Sequence, residues 1–527
     1  MHGIVASLAL LLGAQLKVDG DGLASEGEHR RFWDAVVKAQ IPLLDFTPRV
    51  LRSELLTATA RLAGVVCGRW GNAILEQSED NPALPAHMDE FVDRLMARQE
   101  ESILQTIPYL ANMLLLLKRR SRLQLGGIEC QALSKRVAVD GSKAILSGAG
   151  RAVALGALAT AYGSPRGALI GEAVHSAIST LAGLVTAMSV DWRVIGLRAL
   201  HLALEGDDEG TADASTIDTI AQAIHTGLND YTIDERGDVG SLVRLQALTC
   251  VDLMLSRRLL PEASENLSIL HADILRLSLE KLDRVRARAA AIRAKHLSST
   301  LIKAEDTNTE AYMRSALSPL LHPAPTRTHK ALLQGAISCA GISAEALLQT
   351  SRAVLAEYLY TMDIPALQSL LTIYTAILQD LLGPTANNNN FMHPALELLA
   401  FLLDMRIPQR LPPTSTFKWR TLLSVIQKSH HKSSDIPKLI AAVHCYRGLA
   451  DVSAVRSEVV KKLLGMLRTN PYPKVRVAVA EALWLFCDGG GREELKGVDW
   501  GRKGAAEQKE VVDKLVGIYV DSATSQR

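Results

Sequence analysis

The sequence predicts an all-α protein, an α-solenoid of HEAT/armadillo-like helical repeats, and three observations carry the prediction. Hydrophobic residues make up 48% of the 527 but aromatics only 4%. Strands favour aromatic and β-branched side chains, so abundant Leu, Ala and Val point to helices. Segments such as "ALLQGAISCAGISAEALLQTSRAVLAEYLY" and "IPALQSLLTIYTAILQDLLG" place apolar residues at i, i+3, i+4 and i+7, the one-sided stripe of a packed helix. The third observation is a repeat: an apolar residue, Arg, then small and aliphatic residues at helical spacing. It reads "WRVIGLRAL" at Trp192, "VRLQALTCV" at Val243, "VRARAAAIRA" at Val285 and "VRVAVAEAL" at Val475, with looser copies at Gly150 and Val455. Arg151, Arg193, Arg244 and Arg286 are 42, 51 and 42 residues apart. Helix-hairpin repeats of this type recur every ~40–47 residues, and one accidental amphipathic helix does not produce four copies.

Taken in order, the chain opens on "MHGIVASLALLLGAQLKVDG", whose apolar run resembles a signal-peptide core. It lacks a basic n-region and a small-x-small cleavage site, which favours a helix of the fold. "YLANMLLLLKRRSR" (109–122) is too short to span a bilayer, which takes about 20 apolar residues, so no membrane insertion is expected. Breaks are expected at "DGDG", "DNPALP", "EGDDEG", "HPAPT", "GPTANNNN", "LPPTST" and "DGGG", the Asn run forming a loop tip. The expected organisation is HEAT-like repeats over 1–260, a C-terminal helical-repeat domain over 261–487, and a Gly-rich linker with a terminal helix over 488–527.

Basic and acidic residues balance at 58 and 56, so nucleic acid is not the expected partner. Two basic clusters, "KRRSR" (118–122) and "EKLDRVRARAAAIRAKH" (280–296), read as solvated helix faces and an internal Arg ladder rather than phosphate sites. Six cysteines (67, 130, 250, 339, 445 and 487) form no CxxC and read as small core residues of a reducing compartment. The sequence contains no GxxxxGK[ST], HExxH or GxSxG, and the adjacent His430 and His431 are badly placed to share a metal. No cofactor, metal site or catalytic residue is expected.

The segment "NDYTIDERGDVGSLVRLQALTCVDLML" (229–255) sets a charged, Gly-punctuated loop against a helix that wants burial. Its end is a turn between two helices of one repeat. Asp238 can cap the following helix, and Gly237 and Gly240 permit the tight path. Asp191, Asp238 and Asp283 each stand just upstream of a repeat Arg, suggesting that Asp and Arg of adjacent repeats pair near the turns. Gly237, Asp238, Gly240, Arg244, Asp283, Arg286 and Arg476 are thus the expected structural ladder. Tyr231, Asp234, Glu235 and Arg236 are not needed by a simple turn, and are expected to form a partner-facing surface.

"DYTIDERGDVG", followed by "LEKLDRVRARAA" (279–290), "SDIPKLIAAVHCYRGLADVSAVRSEVVKKLLGML" (434–467) and "NPYPKVRVAVAEALWLF" (470–486), resembles the C-terminal half of the tubulin-folding cofactor D (tubulin-specific chaperone D) family. "HGIVASLALLLGA" is similar to the "RHG"-led helix that opens that half, with Met1 in place of the Arg. Family members are considerably longer, so the chain reads as a C-terminal half, a fragment or a split gene model. The resemblance implies a non-catalytic role in tubulin assembly. Such a protein binds β-tubulin, joins cofactors E and C in assembling the α/β-tubulin heterodimer, and is regulated by a small Arf-like GTPase. It acts as a scaffold in GTPase activation, and is cytoplasmic and cytoskeleton-associated. A solenoid offers the extended surface that so large a partner needs. Other readings are a generic HEAT scaffold, such as a transport receptor or phosphatase platform, and a truncated cofactor without independent activity. An enzyme ranks behind these for want of a catalytic constellation.

Overall fold

A computed structural model describes residues 88–521 together with Lys38, apart from 100, 106, 109–125, 145, 162–167, 206–212, 298–306, 340–344, 384–387, 488 and 503–505. The N-terminal apolar run, Cys67, "KRRSR", "DGDG" and "DNPALP" lie outside the described residues. The chain divides into two compact units, Met1–Leu270 and His271–Arg527.

In the first unit the helices are α1 (Met88–Met96), α2 (Glu101–Leu104), α3 (Gly126–Gly141), α4 (Ala149–Ala161), α5 (Ala168–Leu184), α6 (Val190–Glu205), α7 (Ala214–Leu228) and α8 (Gly240–Ser256). The next helix, α9 (Glu265–Leu277), runs across the division. Each of α3 to α8 packs on a sequence neighbour, and also on the helix two places away. That gives two layers, α3–α5–α7 and α4–α6–α8, the packing of stacked helical hairpins. The Arg-bearing copies of the repeat fall on α4, α6 and α8, all in one layer. Their small and aliphatic residues are packed inside: Ala199, Leu200, Ala247 and Leu248 are fully buried.

The second unit contains α10 (Asp283–His296), α11 (Glu310–Leu317), α12 (Thr326–Cys339), α13 (Glu345–Thr361), α14 (Ile364–Asp380), α15 (Asn388–Asp404), α16 (Trp419–Ser429), α17 (Ile436–Leu449), α18 (Arg456–Thr469), α19 (Pro473–Phe486), α20 (Gly489–Lys496) and α21 (Ala506–Val516). The two-apart packing recurs as α11 on α13, α12 on α14, α14 on α16, and α15 on α17 on α19. One apolar cluster runs through the unit from Leu279 to Leu515. Helix starts are written locally. Asp363-Ile364-Pro365 and Asp435-Ile436-Pro437 open α14 and α17, the Asp accepting from the amides of Ala366 (2.8 Å) and Lys438 (3.1 Å). Pro follows where its missing N–H costs nothing.

Two expected breaks are instead helix starts. Asn388–Asn390 lie in the first turn of α15, and Gly489–Gly491 open α20. The first amides of a helix need no intrahelical partner, so residues that disfavour a helix interior are tolerated there. The described cysteines are buried thiols in no disulfide. Three of them donate through the thiol to a carbonyl of a neighbouring segment: Cys250 to Leu197 on α6 (3.2 Å), Cys445 to Leu396 on α15 (3.2 Å) and Cys339 to Leu279 in the loop between α9 and α10 (2.9 Å). Burial pushes the Cys339 thiol up to about 12 and the other two higher still, so all three stay protonated.

His430, at the end of α16, is buried with its Nε2 2.6 Å from the Tyr446 hydroxyl. Burial keeps the Tyr446 proton on, so the hydroxyl donates and the imidazole accepts. Burial, then Lys462, lowers the His430 value from 6.5 to about 4. The imidazole therefore stays neutral in the fold, while the unfolded chain takes up a proton below about 6.5. This pair contributes fully above that pH, and its contribution falls between pH 6.5 and 4. Urea titrations of native chain and His430→Gln at pH 7.5, 6 and 5 are expected to show the native advantage shrinking with acidity.

Candidate functional site

The segment 229–256 is assembled around two arginines that are not adjacent in sequence. Asn229 ends α7, and Asp230 turns inward and is nearly buried. Its carboxylate accepts the Thr232 amide (3.0 Å) and Nη1 of Arg193 (2.7 Å), which also donates to the Thr232 hydroxyl (2.7 Å). Burial pushes the Asp230 carboxyl up, and the bonds from Thr232 and Arg193 outweigh it, holding the group below the usual carboxylate value. The same Arg193 donates from Nε to the Ala187 carbonyl (2.6 Å) and from Nη2 to the Met188 carbonyl (3.1 Å). One guanidinium on α6 thus ties the α5–α6 turn to the α7–α8 turn.

Between Thr232 and Gly240 the chain makes a small β-hairpin, β1 (Ile233–Asp234) and β2 (Gly237–Asp238), with Ile233 opposite Asp238 and Asp234 opposite Gly237. Glu235 and Arg236 have negative φ, which excludes the primed hairpin turns, while Gly237 sits at φ +102°. A type I turn followed by a left-handed Gly fits this pattern. Asp234 supplies the rest: its Oδ1 accepts the Arg236 amide (2.8 Å), and its Oδ2 accepts Nε (3.0 Å) and Nη2 (2.8 Å) of the same residue. "IDERGD" is therefore the sequence of a self-clasped turn. Gly240 closes the loop, its amide donating to the Thr232 carbonyl (2.9 Å). A Cβ there would stand 2.5 Å from the Asp230 carbonyl oxygen, so only Gly fits.

Arg244, one turn into α8, is fully buried and folds back onto this loop. It donates to both oxygens of Asp238 (3.2 and 2.9 Å) and to the Asp230 carbonyl, and its guanidinium lies over the Tyr231 ring, 4.2 Å from the centroid. Asp238 also accepts the Ser241 amide (3.2 Å), capping α8 from one residue ahead of its N-cap, Val239. Tyr231 is 7% exposed. The ring is thus the floor under Arg244 rather than part of a partner-facing surface. Asp234, Glu235 and Arg236 are the members of that set that face solvent.

The other ladder residues repeat the device. Arg286 is fully buried; its Nη1 donates to the carbonyls of Glu280 (2.5 Å) and Lys281 (3.2 Å), and its Nη2 to the side chains of Asp283 and Asn308. Arg476 donates to the carbonyls of Asn470 (2.9 Å), Trp500 (3.2 Å) and Arg502 (2.6 Å). The common element is the residue six positions earlier: Ala187 for Arg193, Asp238 for Arg244, Glu280 for Arg286 and Asn470 for Arg476. Helical side chains point towards the N-terminus, so an Arg in the first turn or just beyond reaches the loop that enters its own helix. Among the four arginines just described, pairing of Asp and Arg across adjacent repeats holds only for Arg193 with Asp230. Asp191 is not its partner, and Arg244–Asp238 and Arg286–Asp283 are local pairs. Asp230 and Thr232 went unnoticed in the sequence; the signal was an Asn-Asp directly after a helix.

Among the described residues no group of three His, Cys, Asp or Glu can hold a metal ion, and no helix is long and apolar enough to cross a membrane. A cleft of about 580 Å³ beside α19 is lined by Val477, Trp484, Leu485 and Trp500, with Arg492 stacked 4.8 Å over Trp484.

The stacked hairpins of each unit define a helical-repeat protein of the HEAT class. Residues 269–438 match the family described as Tubulin folding cofactor D C terminal; the hairpin lies ahead of that stretch. Among solved structures the chain is similar to an engineered protein (13% identity, 85% of this chain and 98% of that one, TM-score 0.29). It is also similar to importin beta (10%, 97% and 66%, 0.38) and to the C-terminal fragment of the Chaetomium thermophilum cohesin loader SCC2 (15%, 98% and 48%, 0.19). The fold assignment stands on the helix packing described above, not on these three.

Arg244→Ala would strand the buried Asp230 carbonyl and the Asp238 carboxylate, and is expected to cost about 3–5 kcal/mol in denaturant titration. The solvent-facing pair behaves differently: Asp234→Asn with Arg236→Gln is expected to leave the unfolding midpoint almost unchanged.

Proposed function

We propose that this chain is a tubulin-folding cofactor that binds β-tubulin and helps assemble the α/β-tubulin heterodimer. The observation that carries the reading is the match of 269–438 to the cofactor D C-terminal family. The "DYTIDERGDVG" turn ahead of it and the "NPYPKVRVAVAEALWLF" helix after it extend the same resemblance along the chain. In this reading the protein acts in the cytoplasm, associated with the cytoskeleton, alongside cofactors E and C and a small Arf-like GTPase. It makes no bond itself. Its part in GTP hydrolysis is that of a scaffold holding tubulin in a complex, and helical repeats suit that role because each repeat adds contact surface without changing its neighbours.

The test is size-exclusion co-elution of the purified chain with α/β-tubulin, alone and with cofactor E. Co-elution in either mixture is the expected result. Separate elution of folded, helical chain in both would overturn the reading for this polypeptide.

A further inference from the structure

At the end of the first unit where α6 and α8 begin, two apolar side chains stand in solvent on a fixed frame. Met188, in the α5–α6 turn, is 92% exposed, and Ile233, in β1, is 52% exposed. Single exposed apolar residues are ordinary, but these two share one clamp. Arg193 donates to the Met188 carbonyl (3.1 Å) and to the hydroxyl of Thr232, the residue before Ile233 (2.7 Å). The guanidinium that holds the fold together therefore also ties together the backbone from which the two side chains project. Anchors on such a frame lose little backbone freedom on binding.

The charge around them is net negative. Asp191, Asp234 and Glu235 are exposed carboxylates, and Arg236 is the one exposed guanidinium among the hairpin residues. Arg236 is already committed: Asp234, and more weakly Asp191, raise its basicity. Glu235, at the hairpin tip, is left to act outwards, and Asp191, which reaches Arg236 only weakly, also faces solvent. The flanking Arg193 and Arg244 are satisfied by Asp230 and Asp238 and add no net positive charge.

We propose that this surface docks a basic amphipathic segment of a partner protein. Its apolar stripe covers Met188 and Ile233, and its lysines or arginines face Asp191 and Glu235. A Met thioether adapts to varied apolar partners, and the carboxylate border selects basic over acidic ones. The inference is independent of the tubulin reading.

The test uses the full chain and a synthetic helical peptide of leucine and lysine, followed by fluorescence anisotropy at several salt concentrations. Met188→Gln with Ile233→Gln is expected to weaken binding about tenfold or more at every salt concentration. Asp191→Asn with Glu235→Gln is expected to weaken it at low salt and flatten its salt dependence. Val139→Gln, an exposed apolar site on α3, serves as control and should change nothing. All variants sit on exposed side chains, and circular dichroism checks the fold. Absence of peptide binding to the native chain overturns the proposal, as do paired variants that bind like native and a control that falls as far as the Met188/Ile233 pair.

Discussion

The structure depends on an arginine that reaches six residues back to the loop before its own helix. Arg193, Arg244, Arg286 and Arg476 all do so. A cation near a helix N-terminus is opposed by the helix dipole, and burying a guanidinium costs several kcal/mol unless its donors are satisfied. Here loop carbonyls and carboxylates take the Nη donors, while Nε of Arg244 and of Arg286 is left without a bond, so the unfavourable placement becomes the reason the loop is fixed. Remove the brace and the entering turn loses its partners together with its path.

The small and sulfur-bearing residues follow from the same arrangement. Helices braced at one end approach closely along their length, and Ala199, Ala247 and the cysteines sit where two backbones come near. Cys250, Cys339 and Cys445 each donate to a carbonyl 49 to 60 residues earlier, on the helix two places back or, for Cys339, in the loop after α9. Thiols so buried and so high in pKa are packing residues rather than reagents. The Arg at the helix start and the Cys further along thus mark one repeat pattern by two kinds of hydrogen bond.

Helix content and repeat phase were legible in the sequence because both are periodic. Arg244, Arg286 and Arg476 declare their helices through the apolar residue before and the small residues after. The hairpin was not legible, since strands of two residues show no alternation. Its code lay in single positions: Asp234 to bind the Arg236 amide and Gly237 for the positive φ. The burial of Tyr231 was hidden for another reason: a ring beside charged residues looks exposed until the Arg that covers it is known to fold back. The Arg193–Asp230 pair spans 37 residues, and only the packing of α6 against the α7–α8 turn brings it together.

The loop between α7 and α8 is braced from inside. A charged loop held by two internal cations presents its remaining side chains, Ile233 and Glu235, in one arrangement. Backbone hydrogen exchange over 229–241, read against the interior of α8 in the native chain, tests this most directly. The account predicts that the amides of Thr232 and Gly240 exchange on the slow timescale of the helix, because each is bonded within a nearly buried network. Exchange of both within seconds, as in an open surface loop, would contradict it.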